Sequence, residues 1–166
     1  SNSCAAALGY SQDYDGKVEV IDNHRISVTM YESVLHAREL ALQGACAKEI
    51  KTALEADAYN SSIYLTVNTL EYLKKGGRIS KTVAFVGGML SIKPVISIEA
   101  GEVAMLGKAR GSKQGNNLLV QQIEKAGGID FSKPLYLGYA GLDDTLLQKY
   151  ITDSTHLWKE HADSLD

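Results

Sequence analysis

Two cysteines, two prolines, two phenylalanines and a single tryptophan are all that this 166-residue chain holds of those residues. Cys4 and Cys46 stand far apart, and neither has a second Cys or a His at ligand spacing, so neither a disulfide framework nor a zinc site is expected. Long apolar runs are also missing. The longest, from Val83 to Leu90, carries two glycines and falls far short of the ~20 residues that cross a bilayer. No charged start, apolar core and cleavage pattern stands near Ser1, so no signal peptide is read and a reducing, cytoplasmic setting is expected. Basic excess is lacking too: 17 Lys plus Arg against 20 Asp plus Glu leave a net charge of −3. That removes the phosphate-neutralising surface from which nucleic-acid binding draws most of its affinity.

What is present is an ordinary globular composition, 45% hydrophobic and 22% charged, which excludes intrinsic disorder and coiled coil. The length suits one or two small domains. The chain starts at Ser1 rather than Met, which leaves open processing or excision from a longer protein.

Lys17 to Asp22 is a short β-rich run after the turn former Asp15-Gly16 and reads as a buried strand. From Ser33, the apolar positions Val34, Ala37, Leu40 and Ala41 predict a helix ended by Gly44, and Ile50, Ala53 and Leu54 predict a second. Ile63 to Val67 is β-branched and aromatic, hence a strand. Asn68 and Glu71 are spaced as a capping pair for a short helix stopped by Gly76-Gly77. Ser80 caps another helix carrying Val83, Val86, Gly87 and Leu90 on one face. Val95–Ile98 and Val103–Leu106 predict a hairpin around Gly101. A helix then opens at Ser112 and closes at Gly127-Gly128, Leu135–Tyr139 reads as a strand, and Asp143 caps a final helix. The result is an α/β (α+β) chain without internal repeats, divided near Asn60–Ser62. Residues 1–60 are too little for a self-sufficient sheet and look like the tail of a domain.

Catalytic motifs are absent. Gly77-Arg78-Ile79-Ser80-Lys81-Thr82 has Ser80 and Lys75 where a P-loop needs glycines. Neither G-x-G-x-x-G nor G-x-S-x-G occurs, and His24, His36, His156 and His161 form no metal-ligand pattern. Asp143-Asp144 suits a helix start better than a catalytic carboxylate pair, and Trp158 suits packing. Two features remain open. Arg78 after the glycine pair is either an anion-favouring corner or a cap on helix carbonyls. Gly87-Gly88 inside an apolar helix costs about 1 kcal/mol each against Ala, which calls for a close approach by core or by an apolar ligand.

The run Leu70-Glu71-Tyr72-Leu73-Lys74-Lys75-Gly76-Gly77-Arg78-Ile79-Ser80, followed by Leu90-Ser91-Ile92-Lys93-Pro94-Val95-Ile96, resembles the signature of the DegV family of bacterial fatty-acid-binding proteins. Val20-Ile21-Asp22 with Ser27, Gly101, and Lys108-Ala109-Arg110-Gly111 extend the likeness over nearly the whole chain. Asn23 and Val28-Thr29-Met30 depart from the family pattern, and the family's opening Thr-Ser motif and closing His-x-Gly-Pro-Gly motif are missing.

The resemblance implies that residues 61–166 form a two-layer α/β domain with a mixed or antiparallel sheet, lacking its last segment. Residues 1–60 would be the last part of a Rossmann-like N-terminal domain. It implies a non-catalytic subunit that binds a long-chain fatty acid in an interdomain apolar tunnel and presents its carboxylate to a fatty acid kinase for acyl phosphate formation. No cofactor or metal is implied. Arg78 and Ser1 would serve the ligand head, Phe85, Val86, Met89, Leu90 and Ile96 the tail, and Arg110 the partner. Two competing readings stand beside it: a lipid-free structural or interaction module, and an α/β hydrolase or phosphotransferase, for which no activated nucleophile is found.

Overall fold

The computed structural model describes residues 2–78, 92–99 and 102–158. The chain divides into two compact units, Ser1–Ile63 and Tyr64–Asp166.

The first unit is helical among the described residues: α1 (Asn2–Ser11), a 3-10 turn at Gln12–Tyr14, α2 (Ser27–Leu42) and α3 (Ala47–Ala56). The expected strand at Lys17–Asp22 is not formed. A β-rich run becomes a strand only when a partner ladder takes up its backbone groups. Here the segment is tied to α3 through side chains instead. The Asp22 amide donates to Glu55 Oε1 at 3.2 Å, and Lys51 Nζ meets Glu19 Oε2 at 3.3 Å. Helix α2 begins at Ser27, six residues before the expected Ser33, because the Ile26 carbonyl accepts from both the Met30 amide and the Thr29 hydroxyl. Val and Thr lower helix propensity only slightly, so they do not block this first turn. Gly44, at φ +92°, ends α2 as expected. Its amide donates to Ala41 O and the Ala45 amide to Leu40 O, which satisfies two otherwise orphaned carbonyls.

The second unit is built on a three-stranded antiparallel sheet in the order β1-β2-β3: β1 (Tyr64–Thr66), β2 (Ile92–Glu99) and β3 (Glu102–Arg110). Short α4 (Glu71–Lys75) follows β1. Its N-cap is Leu70, and the Thr69 hydroxyl accepts from the Glu71 amide. The expected Asn68 cap does not form, since Asn68 Oδ1 accepts from Lys93 Nζ on β2 instead. The expected hairpin is present, with Glu99 opposite Glu102, while its turn at 100–101 and the helix expected from Ser80 lie outside the described residues. Val95 pairs with Gly107 but Ile96 with Met105, so Leu106 is the extra residue of a bulge that strengthens the local twist.

Helix α5 (Gly111–Lys125) lies across all three strands. A Cβ on Gly107 would sit 2.6 Å from Leu118 Cδ2, and one on Gly115 would sit 3.1 Å from Thr66 Cγ2, so these two glycines admit the helix. Beyond it, α6 (Thr145–Asp153) and α7 (Thr155–Trp158) close a core in which Val120, Leu157 and Trp158 are buried. Trp158 is a packing residue. Its Nε1 donates to Ser154 Oγ at 2.9 Å and its ring meets Tyr150 edge-on at 5.8 Å, while burial pushes the Tyr150 phenol up to about 12.

The strand expected at Leu135–Tyr139 is also absent. Leu137 joins the helical core from coil, while Leu135, Tyr136 and Tyr139 remain exposed. At the start of α6, Asp143 Oδ1 accepts from the Thr145 amide at 3.0 Å, although the N-cap position itself belongs to Asp144.

Candidate functional site

Arg78 closes α4. Gly76 is the C-cap and Gly77 takes φ +66°, so the Gly77 amide donates to Lys74 O at 3.1 Å and the Arg78 amide to Leu73 O at 2.9 Å. This double bond pattern fixes the path of the chain after the helix. The Arg78 side chain folds back, and its Nη1 donates to Gly76 O at 2.6 Å. Of the two readings open in the sequence, the carbonyl cap is therefore realised. Arg78 is nevertheless exposed, and a guanidinium has five N–H donors, so among the described residues most of its hydrogen-bonding capacity is uncommitted.

Ile96 is 1% exposed at the middle of the sheet. Successive residues of a strand point to opposite faces. Thr66 and Lys93 meet α5 at Gly115, and Gly107 meets it at Leu118, which places Val95 on the helix-covered face and Ile96 on the other. The register sets Leu65 and Met105 beside Ile96, and Pro94, Ile98 and Val103 share that second face. The face away from α5 is thus apolar, while the helix-covered face sets Val95, Gly107 and Ala109 beside Thr66, Lys93 and Ser97. Pro94 and Ile96 are fully buried on the face away from α5, whereas Leu65 at its edge is 37% exposed.

Arg110 is the N-cap of α5. Its amide donates to Gln114 Oε1 at 3.0 Å and its side chain is exposed. Beside it, an open groove of about 280 Å³ runs along α5 between Lys108, Ala109, Gln114, Asn117, Leu118 and Gln121. Ser1, Phe85, Val86, Met89, Leu90 and the Gly87-Gly88 pair lie outside the described residues. Three of the expected site residues are thus described: Arg78 on an exposed corner, Ile96 inside the sheet and Arg110 at a helix start.

The sequence reading missed Leu65, Pro94, Ile98, Val103 and Met105 as partners of Ile96. The alternation was legible in the sequence, but without the register nothing decided which face α5 covers. It also missed the cluster in the first unit around Arg25, whose Nη2 donates to Asp57 O at 2.6 Å and to Asp57 Oδ2 at 2.7 Å, and whose Nη1 donates to Ser33 Oγ at 3.3 Å. Among the described residues, no group of three His, Cys, Asp or Glu could hold a metal ion, and no helix is long and apolar enough to cross a membrane.

A model of an uncharacterised protein family, DegV, matches residues 1–163. The chain belongs to the DegV family. A DegV domain-containing protein of Deinococcus radiodurans is 31% identical over 125 residues, which are 75% of this chain and 44% of that protein. Among solved structures, one described as fatty acid binding of a DegV family protein from Thermus thermophilus aligns with a TM-score of 0.71 at 27% identity, covering 95% of this chain and 56% of that one. The Streptococcus pneumoniae fatty acid kinase (Fak) B3 protein loaded with linoleic acid aligns with a TM-score of 0.67 at 25% identity, covering 99% and 57%. The chain therefore spans about half the length of these DegV relatives. The expected α/β class holds, and the DegV relatives' ligand is a fatty acid rather than a cofactor.

Proposed function

We propose that this chain is part of a non-catalytic DegV subunit that holds a long-chain fatty acid in an apolar tunnel and presents the carboxylate to a fatty acid kinase in the cytoplasm. The kinase then forms the acyl phosphate. The observation that carries this reading is the apolar face of the sheet on the side that α5 does not cover, where Pro94 and Ile96 are buried and Ile98, Val103 and Met105 are half-buried. Its support from the relatives is that Thermus thermophilus and Streptococcus pneumoniae members are described with bound fatty acid.

In energetic terms the tail sets the affinity. Each buried methylene contributes ~0.8 kcal/mol, so a long chain offers on the order of 10 kcal/mol before ordering and association costs are subtracted. A carboxylate taken out of water costs several kcal/mol unless donors replace the lost hydration. Arg78 is suited to that task because, among the described residues, its side chain spends one donor, on Gly76 O. In this reading Ser1 also serves the head, Phe85, Val86, Met89, Leu90 and Ile96 the tail, and Arg110 the kinase-facing edge.

Arg78→Ala is the direct test. The variant keeps its fold by circular dichroism but forms acyl phosphate with the kinase at least tenfold more slowly. Turnover equal to that of the parent removes Arg78 from the site.

A further inference from the structure

We infer that Met105 is the residue through which this site selects the shape of its acyl chain, and that a β-bulge puts it there; the inference rests on the carrier reading above. Side chains two apart on a strand ordinarily share a face. Gly107 faces α5, where a Cβ would sit 2.6 Å from Leu118 Cδ2, so unbroken alternation would turn Met105 toward α5 as well. The bulge prevents this. Val95 pairs with Gly107 and its neighbour Ile96 with Met105, so the extra residue, Leu106, rotates the strand and delivers Met105 to the opposite face, in one row with Ile96 and Leu65. Bulges re-aim side chains in this way beside functional sites.

The chemistry of that face decides what Met105 can do there. Ile96, Ile98 and Val103 are branched at Cβ, which restricts χ1, and Pro94 is a closed ring. Among the described residues of this face, Met105 is the one unbranched apolar side chain. Three rotatable bonds and a polarisable thioether let a methionine mould itself to surfaces of different shape. Met105 is half-buried, against 1% exposure for Ile96 beside it, so it has room to move. A saturated chain can adjust its own torsions to a stiff wall, whereas a cis double bond imposes a bend that only the wall can accommodate. A rigid wall with one adaptable element therefore admits both straight and bent long-chain acids.

The test measures Kd values of the delipidated chain for palmitic and palmitoleic acids, which are equally long and differ only by a cis double bond. The parent is compared with Met105→Ile and Met105→Leu, two substitutions that nearly conserve apolar volume, and circular dichroism confirms folding. The parent should bind the two acids within about threefold of each other. Met105→Ile, branched at Cβ, should hold palmitic acid within about twofold of the parent but lose about tenfold in affinity for palmitoleic acid, and Met105→Leu should fall between. Variants that bind both acids as the parent does, or that lose affinity for both equally, overturn the selector while the carrier stands, as does a parent that rejects one of the two acids. A parent chain that takes up neither acid overturns the carrier, and the selector with it.

Discussion

Gly77 and Arg78 are neighbours with opposite demands. Gly77 sits at φ +66° with open space around its missing Cβ, so an alanine there meets backbone strain and nothing else. Gly77→Ala should lower stability by about 1 kcal/mol, read as a reduced urea midpoint, with Gly77→Asn costing less because Asn tolerates the left-handed region. Arg78→Ala should move that midpoint by no more than about 0.5 kcal/mol, since it deletes one exposed hydrogen bond. The pair separates what the corner needs in order to fold from what it offers to a ligand.

Asp57 gives a pH-dependent counterpart at the same scale. Burial pulls its carboxyl upward, but the Asn60 amide and then the charge and hydrogen bonds of Arg25 outweigh this and hold it below the ordinary carboxylate value. A carboxyl with a lowered folded value contributes stability that is whole above its unfolded value of about 4 and is lost as pH falls further. Urea unfolding of the parent and of Asp57→Asn should therefore differ at pH 7 and converge toward pH 3. A gap that stays constant over that range contradicts the assignment.

At the level of elements, Trp158 shows how a one-turn helix is held. Alone, Thr155–Trp158 is far too short to be stable in water. Its position rests on the indole seated beside Val120, Tyr150 and Leu157, with the Nε1–Ser154 bond. Trp158→Ala should cost 3–5 kcal/mol as a cavity mutation, while Trp158→Phe should cost less, because only the hydrogen bond and part of the ring volume are lost. Equal effects on the thermal midpoint would contradict that division. Elements of this kind were legible in the sequence where local chemistry decides them: Gly44, Gly77 and Gly127 all end helices as their spacing predicts, and the β2–β3 hairpin follows from its alternation. The strands expected at Lys17–Asp22 and Leu135–Tyr139 fail for one shared reason. β-propensity is local, whereas a ladder partner is not. Asn68 fails as a cap on similar grounds, since a lysine 25 residues away took its oxygen.

On the scale of the whole molecule, the family was readable from the Gly-Gly-Arg corner and the Lys-Pro strand, because those residues are constrained by backbone geometry and by the sheet together. The site was less so. Arg78 was found with both its roles open, and Ile96 was found without the neighbours that give its face meaning, because strand register is a tertiary fact. The carrier account stands on that apolar face being a wall for an acyl chain. Native mass spectrometry of the purified protein, before and after organic extraction, tests it most directly. The account predicts one long-chain fatty acid per chain, removed by extraction and restored on adding a saturated or unsaturated C16–C18 acid, and lost when Ile96 is changed to Asp in a variant that still folds. A protein that carries no lipid and takes up none when the acid is supplied would contradict it.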